Sequence, residues 1–104
     1  MKFVVLLYLE DDDEAVVSLV EAQGVVAWSR VAVEGHGDGA PGWLGRVPSY
    51  RSRVLFTLVS DAKAAELLAA VAAAPPGQDP SHPVHAVQLD VDRATRSGGV
   101  SHAT

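Results

Sequence analysis

The polar and apolar positions of this chain alternate between a period of two and a period near 3.6. Residues 2–9 form a short apolar run rich in β-branched side chains and ending in charge, the pattern of a buried strand. Alternation puts Phe3, Val5, Leu7 and Leu9 on one face and Val4, Leu6 and Tyr8 on the other. Both sets are apolar, so this strand is expected in the centre of a sheet with something covering each side. The acidic run 10–14 opens a helix, with Asp11 as its cap and Glu14 three residues on. Val16, Leu19, Val20 and Gln23 follow at helical spacing, and Gly24 supplies the stop. Residues 25–34 alternate again, with Ala27, Ser29, Val31 and Val33 opposite Trp28, Arg30, Ala32 and Glu34.

Strand character returns at residues 53–59, where Val54, Phe56 and Leu58 face one way and Leu55, Thr57 and Val59 the other. Ser60 or Asp61 caps a second helix, whose stripe of Ala64, Leu67, Leu68 and Val71 ends before Pro75. Residues 75–83 are a proline-containing turn region, and 84–91 form the last strand, with His85, Val87, Leu89 and Val91 assigned to the inner face. The predicted class is α+β: a ferredoxin-like βαββαβ domain over residues 1–96, an antiparallel four-stranded sheet, and a flexible tail at 97–104. With both helices on one face, the other face is expected to expose Val4, Leu6, Tyr8, Leu55, Val59 and Trp28. So much apolar surface predicts that subunits pack sheet against sheet.

The stretch 34–53 stands apart, holding five of the nine glycines and two of the six prolines. A connection of this length between two strands reads as a working loop. Within it Gly35 and Gly37 permit close backbone approach, and Trp43, Leu44, Arg46 and Tyr50 are side chains suited to anchoring a partner.

Composition narrows the function classes. One domain of 104 residues carries 13 acidic and 8 basic side chains, a net charge of −5, which disfavours nucleic acid. The chain has no cysteine, which removes disulfides, thiolate metal sites and cysteine nucleophiles and suits a reducing compartment. The run 3–9 is too short to span a membrane, so no membrane insertion and a cytoplasmic location are expected. No nucleophile elbow, phosphate-loop signature or opposed acid pair is present, so the protein is not expected to be an enzyme.

This arrangement resembles the PII signalling proteins and their PII-like relatives over residues 1–96. The residues 33–37, Val-Glu-Gly-His-Gly, look like the Gly-x-Gly segment that closes the second strand of those proteins, and 93–98 is similar to their arginine-containing segment after the last strand. The resemblance implies a homotrimer that binds a small effector, an adenine nucleotide or another anion, between subunits. It implies ligand contacts from Gly35, His36, Gly37, Asp38, Arg93 and Arg96, and signalling through the loop to a protein partner, an enzyme or a transporter. Two departures stand out: Asp38 occupies the place of an arginine, and 75–83 has no counterpart of the family's glycine- and lysine-containing turn.

Histidine supplies the alternative. His36, with His82 and His85, offers imidazoles for a divalent or copper-type metal ion, which makes a metal-responsive module the competing expectation. Taken singly, His82 reads as an exposed loop histidine, His85 as one at the core rim, and His36 as a residue with no packing role.

Overall fold

The computed structural model describes residues 1–36, 49–73 and 79–98, and the backbone alone of Ser49. The chain order is β1 (Lys2–Leu9), a 3-10 turn (Glu10–Asp12), α1 (Asp13–Ala22), β2 (Ser29–His36), β3 (Ser49–Val59), α2 (Asp61–Ala73) and β4 (His85–Asp90). The four strands form one antiparallel-paired sheet in the order β2-β3-β1-β4. The expected α+β class and the two helices stand. Gly37, Asp38, Trp43, Leu44 and Arg46, and residues 99–104 of the expected tail, lie outside the described residues.

Local chemistry accounts for the element ends. The acidic run does not cap α1 through Asp11. The chain instead enters through the 3-10 turn, neither Leu9 nor Asp12 makes a side-chain capping bond, and the first-turn acids Asp13 and Glu14 favour the helix N-terminus electrostatically. Gly24 takes φ +83° just after α1, a conformation that costs glycine little. At α2, Ser60 Oγ accepts the Lys63 amide at 3.1 Å, the capping bond that the sequence predicts. β2 begins four residues later than its alternation suggests, at Ser29. Before it, Val25 is buried and Thr57 Oγ1 donates to the Ala27 carbonyl at 2.6 Å. β3 begins earlier than predicted, because Gly35 pairs with Tyr50 and His36 with Ser49, so both strands run further into the 34–53 stretch.

The face assignment is reversed. Val4, Leu6, Tyr8 and Leu55, expected on the open face, are buried with Val16 and Val20 of α1 and Ala64, Leu67 and Val71 of α2 in one core. Trp28 and Val59 pack against that core. The open face instead carries Phe3, Val5 and Leu7 beside Val54, Phe56 and Leu58, with Val31 and Val33 on one flank. His85, Val87 and Leu89, assigned to the inner face, form the other flank. Leu58 and Leu89 remain 52% and 53% exposed. Because both alternating sets of β1 are apolar, periodicity defines two faces without choosing which one the helices cover. The inference of an apolar sheet face that no helix covers among the described residues therefore survives with its membership exchanged.

Candidate functional site

At one end of the sheet, the C-terminal ends of β1 and β2, the start of β3 and the segment leading into β4 enclose a recess of about 390 Å³. Leu7, Leu9, Val33 and Pro83 supply apolar walls, and His36, Tyr50, His82, His85 and Arg53 supply polar ones. Gly35 lies at its base for a steric reason. A Cβ there would stand 2.6 Å from Tyr50 Cε2 and 2.7 Å from Ser52 Oγ, so the missing side chain is what lets the tyrosine ring lie across β2. Gly35 does not have positive φ, so close approach explains its identity and conformational freedom does not.

The Tyr50 ring also meets His82 edge-on, with ring centroids 4.7 Å apart and an interplanar angle of 73°. His82 is held in turn by Asp79, whose Oδ2 lies 3.0 Å from Nδ1. Since a carboxylate only accepts, this bond assigns the proton to Nδ1 and leaves Nε2 as the remaining ring nitrogen. Asp79 Oδ1 accepts both the Ser81 amide at 2.9 Å and the Ser81 hydroxyl at 2.7 Å. The Ser81 hydroxyl bond, then the Ser81 amide, then His82, hold the Asp79 carboxyl down at about 2. The His82 side chain is only 16% exposed, so it is not the free loop histidine that its setting between Ser81 and Pro83 suggests.

His36 is similarly engaged, its Nε2 lying 3.0 Å from Glu34 Oε2. Arg53 donates from Nη2 to Glu10 at 3.3 Å, while its buried Nε has no partner among the described residues. Tyr8, which also lines the recess, donates to Asp13 Oδ1 at 2.8 Å, and Arg30 donates to Oδ2 at 2.5 Å. Burial, then the bond to Asp13, pushes the Tyr8 hydroxyl well above its ordinary value. Arg30 also stands 5.5 Å over the Trp28 ring, so the Tyr8–Asp13–Arg30 group ties α1 to β1 and β2 as a structural clasp.

Of the residues singled out from sequence, Gly35, His36, Tyr50, His82 and His85 come together around this one recess. Arg93 and Arg96 are exposed and do not line it. The three histidines share the recess without converging: among the described residues, no group of three or more His, Cys, Asp or Glu side chains is placed to hold a metal ion. Asp79 and Ser81 escaped sequence reasoning. Their signal is the Asp-Pro-Ser-His order at 79–82, which sets an acid three residues before an imidazole in a proline-shaped turn. Among the described residues, no helix is long and apolar enough to cross a membrane.

No protein-family model matches this chain, and no curated protein matches it.

Proposed function

We propose that this chain is a PII-like regulatory protein that binds a small anionic effector, an adenine nucleotide or another anion, and signals through the 35–53 stretch to a partner protein. In this reading the domain is ferredoxin-like, it acts in the cytoplasm, and it binds its effector without transforming it. The observation that carries the reading is the recess formed where β2 ends and β3 begins, because a ligand seated there touches both stems of that stretch. The β-α-β-β-α-β chain order and the sheet order β2-β3-β1-β4 support the fold assignment. The bare apolar sheet face supports a homotrimer packed face to face, in which Arg93 and Arg96 would enter a neighbour's recess from outside.

A second reading, a metal-responsive module, is favoured by the presence of His36, His82 and His85 around one recess. Calorimetric titration with ATP, ADP, AMP, cyclic AMP and bicarbonate, run beside zinc, copper and nickel on the protein and on His36→Ala, separates the two. Binding of one anion, with slower amide exchange at His36 and residues 50–53, is the expected result. Metal binding that His36→Ala abolishes, with no response to any anion, would overturn the first reading in favour of the second. Light scattering that returns a monomer at micromolar concentration would remove the trimer.

A further inference from the structure

We infer that the recess selects a monocarboxylic acid with an apolar or aromatic body and rejects polyphosphates. This rests on the effector-binding reading above and narrows the ligand class. The first ground is the distribution of charge. Among the described residues, no carboxylate lines the recess; Glu34 and Asp79 accept from His36 and His82, which do line it. Arg53 is the lining guanidinium; its Nη2 donates to Glu10, and its Nε is buried without a partner among the described residues. One forked cation and a set of imidazoles match one acid group.

The second ground is the surroundings. The adjoining groove, which shares Leu9, Tyr50 and Arg53 with the recess, is lined by the four acids Glu10, Asp11, Asp13 and Glu14 against the two cations Arg51 and Arg53, a net acidic wall. Repulsion scales with ligand charge, so this acidic rim opposes a tetra-anionic nucleotide about four times as strongly as a monoanion. The third ground is shape and polarity. Leu7, Leu9, Val33 and Pro83 form walls that reward an apolar body, and the Tyr50 ring offers an aromatic surface. A ligand spanning both parts places its carboxylate at Arg53 and its body against the leucines.

Benzoate is the probe, benzamide its neutral isostere and ATP the polyphosphate control, with the ring signals of His36, His82 and His85 followed by NMR in the intact protein. Benzoate is expected to shift all three histidines saturably and to bind about tenfold more tightly than benzamide, through the charge-assisted bonds at Arg53. Val33→Glu sets a carboxylate against the recess and is expected to weaken benzoate about tenfold. Val33→Gln, which makes the same wall polar without adding a charge, is expected to weaken benzoate and benzamide alike, so that only the further loss of benzoate binding in Val33→Glu reads the charge. Equal binding of benzoate and benzamide, or an undiminished affinity in Val33→Glu, overturns the charge argument. Histidine shifts with ATP and none with benzoate overturn this inference and leave the effector reading standing, whereas silence with both probes overturns this inference, and calorimetric silence toward every anion overturns the effector reading as well.

Discussion

Replacing Gly35 by alanine tests how the site is held together, because two opposing effects act on one methyl group. Strand geometry favours the change: glycine in a strand interior costs about 0.5–1 kcal/mol relative to alanine, and the Gly35 backbone does not need positive φ. Sterics oppose it. The new Cβ would stand 2.6 and 2.8 Å from the Cε2 and Cδ2 atoms of Tyr50, distances at which something must move. Ser52 Oγ, at 2.7 Å, can rotate away, but the Tyr50 ring cannot shift without disturbing its contact with His82, whose centroid is 4.7 Å away. Overpacking of this kind costs about 1–3 kcal/mol. The net expectation is a loss of about 1 kcal/mol, a fall of about 0.5–1 M in the urea midpoint for a domain of this size.

In a Tyr50→Ala background the clash is gone, and the same substitution should stabilise by about 0.5 kcal/mol. The measurement is a double-mutant cycle by urea unfolding at fixed protomer concentration, with the His82 ring signals recorded alongside. A Gly35→Ala effect of equal sign and size in both backgrounds would refute the account of Gly35 as the seat of the Tyr50 ring. So would unchanged His82 signals in the single variant.

Three further expectations test other links. Leu6→Ala should cost about 2–5 kcal/mol, since Leu6 is fully buried, while Leu58→Ala on the open face should cost about 1 kcal/mol or less at high dilution. A Leu58 cost that grows with protein concentration would mark a face covered by other copies, and equal costs for Leu6→Ala and Leu58→Ala at high dilution would put the core on the wrong face. Ser60→Ala should lose about 0.5–2 kcal/mol through the missing cap on α2, with Ser60→Gly costing less, both read by thermal unfolding. The Asp79 carboxyl is held at about 2, below its ordinary 3.8, so its bonds to Ser81 and His82 are complete above pH 3.8 and are lost as the pH falls through about 2. The Ser81 amide signal should therefore report the Asp79 titration near pH 2, and in Ser81→Ala the Asp79 carboxyl signal should titrate closer to 3.8; an Asp79 midpoint of 3.8 in the unaltered protein would contradict the hydrogen-bond assignment.

Much of the architecture was legible because hydrophobic periodicity is a local property. The β1 run, the α2 stripe and the Ser60 cap depend on neighbours within a few residues, and each appears where its pattern placed it. Boundaries set by partners across the sheet were not legible. β3 reaches back to Ser49 only because Gly35 and His36 offer it backbone to pair with. Likewise Val25 and Ala27, which alternate as strand residues do, serve as a buried side chain and a carbonyl acceptor ahead of β2.

Local patterning was enough to specify an α+β domain with an apolar sheet and an unusual glycine-rich stretch between its second and third strands. It also provided the residue types for the site. Tertiary structure decided which of two equally apolar faces became the core, since that depends on where the helices cross and not on alternation. It decided, too, that residues 36, 50, 82 and 85 meet. Sequence separation carries no information about that meeting, because sheet order brings β1, β3 and β4 together from opposite ends of the chain. Gly35 shows both contributions: its identity was visible from the start, and the ring that requires it became visible only once β2 and β3 were paired.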